Sequence, residues 1–342
     1  MAELQALVAA LRASRGFQHK GDIAAVLRRL EQPTPGAPTT VPNGDDCAVL
    51  PDGAGGYQLL AIEGLVQDFV QASPWFAGYS AVMVNLSDVA AMGGRPVAVV
   101  DALWSSDEAQ AADVIAGMRA ACERYAVPLV GGHTNLRSTG AQLAVAVLGH
   151  ARRLISSFAA RPGDRLLMAV DLRGHWHGAY PFWNASTEAP PIRLREDLAL
   201  LPALAEDGLC DAGKDISMAG ALGTALMLLE CSGVGARIAL DRLPRPAEVP
   251  PWRAGGEAAE GARLRWLSAF PSFGYLLSVR PEHAAAVARR FTERGIACED
   301  VGEVTASRRV LLSLADPAGS APREAELWNL AGEGFMTGRR AA

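Results

Sequence analysis

Acidic side chains occupy places in this sequence that packing alone does not explain. "NGDDCAVL" (43–50) sets Asp45 and Asp46 side by side before an apolar run. Adjacent carboxylates repel each other, so they rest either in a solvated Asx-type turn or around a cation. "AIEGLV" (61–66) puts Glu63 at the end of an apolar strand, which by itself reads as an exposed edge position. Asp88 lies in "VNLSDVAAM" (84–92), a helical run with little polar face to hold it in solvent. Asn85, about one turn earlier, shares that face and can orient a carboxylate or a ligand oxygen. Hard oxygen donors of this kind suit Mg²⁺, which binds few carboxylates together with nucleotide phosphates.

Other blocks offer backbone and side-chain donors. "VGGHTN" (130–135) reads as a strand entering a turn, with Gly131 and Gly132 open to close approach and His133 and Thr134 behind them. A plain β-turn fits as well. "KDISMAGALGTALMLLECSGVGA" (214–236) begins with Asp215 and Ser217 and passes Gly220. A helix start there can hold a phosphate on its N–H groups, and a capped core helix is the alternative. "GLCDAGKD" (208–215) nearly spells a phosphate loop, but Asp215 stands where the motif needs Ser or Thr, so that reading is rejected. Lys20 in "FQHKGDI" belongs to an N-terminal segment that can reach a phosphate, or it is simply solvated. The loop at 173–191 carries Trp176, Tyr180, Phe182 and Trp183 beside His175 and His177. It is expected to contact the acceptor, with a histidine in proton transfer; otherwise its aromatics cover the second domain's sheet. A metal pair at His175 and His177 lacks a third ligand.

These residues need a large scaffold. The chain has 342 residues, half of them hydrophobic and 20% charged, which suits two globular domains. A net charge of −5 and a pI near 5.7 argue against nucleic acid as a partner. The longest near-apolar window, 217–229, falls short of the ~18 residues of a membrane span. The N-terminus lacks the features of a secretory signal. Five scattered cysteines without a CxxC pair fit a reducing cytoplasm better than a disulfide or zinc framework.

Periodicity predicts helices at 1–13 and 19–30, a Pro/Thr loop at 31–42, and two strands joined by a Gly-rich turn in 47–66. A helix at 78–93, a strand at 96–104, a helix at 106–126 and strands at 127–135 and 142–151 complete the first half. The second half reads as a strand in 160–172, helices at 193–206 and 217–232, and a strand in "GARIALDRLP". A polar stretch at 247–264, a strand at 275–279, a helix at 281–294 and a hairpin at 300–315 follow. The division falls into domains 1–155 and 156–342.

In order, "NGDDCAVL", "AIEGLV", "AVMVNLSDVAAMGGRPVAV", "VGGHTN" and "DISMAGALGTALMLLECSGVGARIALDRLP" resemble the aminoimidazole ribonucleotide (AIR) synthetase-like superfamily over about residues 20–315. Its members include thiamine-monophosphate kinase, selenophosphate synthetase and a hydrogenase-maturation dehydratase. The resemblance implies a two-domain α+β fold. The N-terminal domain would contribute strands to a β-barrel shared in a homodimer, and an α/β domain would follow. It implies ATP and Mg²⁺ as cofactors and a small-molecule acceptor as partner. Asp45, Asp46, Glu63 and Asp88 map onto metal-site positions. Asn85, Gly131, Gly132 and Thr134 map onto the nucleotide site, joined by Asp215, Ser217 and Gly220. Lys20, His133 and His177 are the candidate catalytic residues. His133 and Met218 stand where thiamine-monophosphate kinase has Asp, and "SFGYLLSV" (272–279) lacks that kinase's acidic pair. The expected function is ATP- and Mg²⁺-dependent phosphoryl transfer to, or activation of, an unassigned metabolite. The alternatives are a noncatalytic nucleotide-binding regulatory or scaffold protein, and thiamine-monophosphate kinase itself.

Overall fold

Two stretches of alternating strands and helices make two layered halves. The computed structural model describes residues 2–30, 41–252, 254–316 and 321–336. The expected Pro/Thr loop lies almost wholly outside these residues. The first half holds strands β1 (Ala48–Pro51), β2 (Tyr57–Leu65), β3 (Arg95–Trp104), β4 (Leu129–Asn135) and β5 (Gln142–Ala151). They form one sheet in the order β1-β2-β5-β3-β4. Helices α1 (Ala2–Ala13) and α2 (Arg15–Leu30) precede it, and α3 (Gln67–Ala72), α4 (Pro74–Ala91) and α5 (Glu108–Tyr125) lie within it.

Strand β5 shows how the sheet is made. Leu143, Val145 and Val147 are buried on one face, while Ala144, Ala146 and Leu148 alternate onto the other. Helix α4 covers the first face. It is buried from Phe76 to Ala91, because the sheet, α5 and the second half surround it. Gly78 and Gly117 let α4 and α5 meet backbone to backbone. A Cβ on Gly117 would lie 1.9 Å from the Trp75 carbonyl oxygen, and one on Gly78 2.0 Å from that of Val114. The opposite sheet face stays open, with Leu60, Ile62, Val100 and Leu148 exposed, Ile62 to 69%.

The second half centres on a seven-stranded sheet, β15-β14-β10-β13-β6-β12-β9. Its strands are β6 (Arg165–Val170), β9 (Ala212–Asp215), β10 (Gly235–Ala239), β12 (Gly274–Val279), β13 (Ala297–Thr305), β14 (Arg309–Leu314) and β15 (Arg323–Asn329). Short strands β7 (His175–Trp176), β8 (Phe182–Asn184) and β11 (Phe270–Pro271) form a third sheet. The helices are α6 (Pro191–Leu198), α7 (Leu200–Glu206), α8 (Gly220–Ser232), α9 (Glu257–Leu267) and α10 (Pro281–Thr292). Leu166, Met168 and Val170 of β6 share a core with α8 and α9, while Leu167 and Ala169 share one with α7 and α10. A strand covered on both faces reads as a continuous apolar run rather than an alternation.

Several sequence expectations change here. Helices α1 and α2 bury Leu4, Val8, Leu11 and Phe17 in the second half's core, although they precede the first half in the chain. The expected helix at 193–206 divides at Ala199 into α6 and α7. The polar stretch at 247–264 contains most of α9. Strands β13 and β14 are not a hairpin, because β10 lies between them, antiparallel to one and parallel to the other. Their link passes the start of β10 at Gly235, where a Cβ would lie 2.3 Å from the Arg309 carbonyl oxygen. The glycine pair 131–132 lies inside β4 rather than in a turn. Among the described residues no helix is long and apolar enough to cross a membrane.

Candidate functional site

Three carboxylates from distant parts of the chain converge beside α4. Asp88 is buried on an enclosed helix, 6% exposed, and lines the cavity described below. Asp215 ends β9, a strand that packs against α4. Asp46 enters from the segment before β1. Asp46, Asp88 and Asp215 each offer an oxygen, and the three atoms lie within 4.8 Å of one another. Lys214 is also buried, and its Nζ pairs with Asp46 Oδ1. The Asp215 backbone N–H donates to Asp46 Oδ2 at 3.3 Å.

Burial dominates the electrostatics. It pushes the Asp46 carboxyl up to about 7, with Lys214 opposing and Asp215 reinforcing. Burial raises Asp88 well above the carboxylate range, and Asp215, Glu63 and Asp46 add to it. Asp215 is raised by burial too, against Lys214 and Lys20. Burial alone would lower the Lys214 ammonium, but Asp46, Asp45 and Asp215 outweigh it and hold the group protonated. Buried like charges at this spacing need a cation or protons. Hard oxygen donors and a net negative charge fit Mg²⁺.

The triad lines a cavity of about 470 Å³. Phe69, Phe76, Met83, Phe182, Trp183 and Phe270 give it an apolar wall. Lys20 lines it from α2, so this lysine belongs to a helix rather than to a loose segment. Burial and the Lys214 charge lower its ammonium, while Glu63, Asp215 and Asp46 oppose them. Glu63 also lines the cavity but stands outside the close triad. Its side chain meets solvent at the surface of β2, yet crowding by protein still raises its carboxyl, with Lys20 pulling the other way.

The remaining predicted residues divide. Asp45 faces the cavity, but its carboxylate accepts from Ser156 Oγ at 2.7 Å, Ser157 Oγ at 2.7 Å and the Ser157 N–H at 3.0 Å. These bonds tie the segment before β1 to the start of the second half. Ser217 lines the cavity with a buried, unpartnered Oγ. Asn85 does not line it: Nδ2 donates to the Ala81 carbonyl at 2.7 Å and Oδ1 is buried without a partner. Gly220, at φ 65°, packs against the Leu267 carbonyl outside the cavity. Gly131, Gly132, His133 and Thr134 are exposed on the outermost strand β4, away from the cavity. The His133 ring stands 6.0 Å from Trp104.

The aromatic loop folds inward. Trp176 packs edge-on against Trp183 and Trp266, and the Arg265 guanidinium lies 4.1 Å from the Trp176 ring centroid. His177 stacks on Phe76 at 3.6 Å, behind the cavity wall. Burial, then the His175 charge, lowers its ring from the ordinary histidine value. Phe182, Trp183 and Asn184 reach the cavity itself. Sequence reasoning missed Lys214, which it set aside with the rejected phosphate loop. A lysine beside an aspartate in "AGKDI", within otherwise small and apolar residues, was the available signal.

Residues 44–151 match the family model described as AIR synthase related protein, N-terminal domain, and residues 161–314 match the C-terminal domain. The uncharacterized protein sll0787 of Synechocystis sp. is 44% identical over 310 residues, covering 90% of this chain and 92% of its own. Thiamine-monophosphate kinase of Synechococcus elongatus is 28% identical over 302 residues, covering 80% of this chain and 86% of that one. Among solved structures, T. maritima PurL complexed with ADP aligns with a TM-score of 0.67 at 20% identity over 86% of this chain. This chain spans about half of that PurL, 47% of its length, and the likeness is one of fold. With both domains matched in order and a relative of near-full length, the chain belongs to the AIR synthase-related family and has its two-domain α+β fold.

Proposed function

We propose that this chain binds Mg²⁺ and ATP in the cavity and transfers phosphoryl to, or activates, a small-molecule acceptor. The observation that carries this reading is the Asp46–Asp88–Asp215 triad in the lining of a cavity with an aromatic wall. The kinase among the relatives supports it. Phosphoryl transfer rests mainly on positioning and on charge stabilisation, and both need a rigid, water-poor site. The triad holds Mg²⁺, which neutralises phosphate charge. Lys20 and the free Ser217 hydroxyl face the phosphates. Phe182 and Phe270 take the body of the acceptor. Gly131, Gly132 and Thr134 lie outside the cavity of their own chain, so a part for them in nucleotide binding requires a second copy.

Calorimetry with Mg²⁺ and a nonhydrolysable ATP analogue tests the reading. The wild-type chain is expected to bind, and Asp88→Asn to bind at least about tenfold more weakly with an unchanged circular dichroism spectrum. Equal affinities would overturn the assignment. ADP release on addition of pooled metabolites then separates an enzyme from a noncatalytic nucleotide binder. Phe182→Ala is expected to raise the acceptor's KM more than that of ATP.

A further inference from the structure

Lys214 occupies an unusual place for a lysine. It pairs with Asp46, one of three clustered carboxylates. It is 5% exposed, so water screens it little. Its ammonium engages Asp46 Oδ1, and the Asp215 backbone N–H engages Asp46 Oδ2. Both Asp46 oxygens are thus already in use on the Lys214 side. Asp88 and Asp215 face the cavity without a side-chain cation of their own in direct contact among the described residues.

Other nearby charges do not change this division. Asp45 is committed to Ser156 and Ser157. Lys20 and Glu63 act on each other and on the triad with opposite signs, so they cancel in its charge count. With Lys214 counted and every carboxylate ionised, the triad keeps a net charge of −2, which one divalent ion cancels. Two-metal centres place their ions about 3.5–4 Å apart between shared carboxylates. A second ion bridging Asp46 would lie against a buried ammonium, and like charges at that distance repel strongly where water is excluded.

We infer that Lys214 takes the place of a second divalent cation and holds the acidic centre to one metal ion per chain. This rests on the Mg²⁺ reading above and adds a stoichiometry to it. Lysine supplies this charge as a compact ammonium, with no exchange and no dependence on free metal. The triad is therefore partly neutralised before any metal arrives.

Mn²⁺ binding to the full chain without nucleotide, followed by electron paramagnetic resonance of the free ion, tests this. Site-bound Mn²⁺ is counted as the part lost in the Asp88→Asn/Asp215→Asn double variant. The wild type is expected to show one such ion. Lys214→Met is expected to gain a second, bound at least about tenfold more tightly than any second ion in the wild type. Lys214→Arg is expected to keep one. Two site-bound ions in the wild type overturn the inference and leave the metal reading standing. A Lys214→Met variant that folds and still binds one ion also overturns it. No site-bound Mn²⁺ in the wild type fails the metal reading itself. If Lys214→Met does not fold, the wild-type count and Lys214→Gln, read the same way, decide the matter. Melting gives a second readout: the Lys214→Met transition is expected to rise with Mn²⁺ more steeply than that of the wild type.

Discussion

Two adjacent aspartates do different work in this chain. Asp46 turns toward Asp88 and Asp215, while Asp45 accepts hydrogen bonds from Ser156 and Ser157. Charge-assisted bonds of this kind contribute about 1.5–3 kcal/mol each, and losing part of the set costs stability. Asp45→Asn is therefore expected to lower unfolding stability by about 1–3 kcal/mol while Mn²⁺ affinity stays within about threefold. Urea unfolding and Mn²⁺ titration on the same protein measure both. Lost metal affinity with unchanged stability would return Asp45 to the ligand set.

At the scale of elements, close backbone contact and one turn carry the weight. Helices α4 and α5 cross where Gly117 meets the Trp75 carbonyl, so Gly117→Ala must push the two helices apart. Overpacking of this kind costs about 1–3 kcal/mol, and a lowered urea midpoint with an unchanged slope is expected. The β1–β2 turn is pinned by Asp52, which accepts from His150 Nε2 at 2.9 Å, the Ala54 N–H at 2.7 Å and the Gly56 N–H at 2.9 Å. The His150 bond first, then the two backbone bonds, lower its carboxyl from 3.8 to about 2. The unfolded chain binds more protons in that window, so stability from Asp52 is fully present above the ordinary value and fades as pH falls. Below about pH 5 the difference in urea midpoint between the wild type and Asp52→Asn should shrink as pH falls toward about 2. A difference that grows over that window would contradict this origin.

For the whole molecule, the open sheet face matters most. Leu60, Ile62, Val100 and Leu148 leave an apolar surface on the side away from α4. We propose that a second copy of the same face covers this apolar surface. Light scattering at micromolar concentration is expected to give twice the chain mass of 35.9 kDa. Ile62→Lys should shift the mass toward that of one chain, because it places a charge in the centre of an apolar contact. A monomeric wild type would remove the proposal, and with it any role for Gly131, Gly132 and Thr134 in nucleotide binding.

Local chemistry was legible before any fold was known. An aspartate in a helix without a polar face had to be buried, and Asp88 is. The alternation of "QLAVAVLGHA" required one covered face and one face of small and apolar residues, and β5 has both. The motif order matched the family to which the chain belongs. Convergence was not legible, because it depends on strand order rather than on spacing. Asp215 read as a phosphate-binding helix start until β9, at the edge of the seven-stranded sheet, brought it against α4. Lys214, the preceding residue of the same strand, pairs with Asp46 there. Asn85 shares a helix with Asp88 but turns to the Ala81 carbonyl, and α4 alone does not reveal which of its sides meets the cavity. Residue types and their periods decide what must be buried and what is costly to bury. Only packing between distant segments decides which of those costly groups meet.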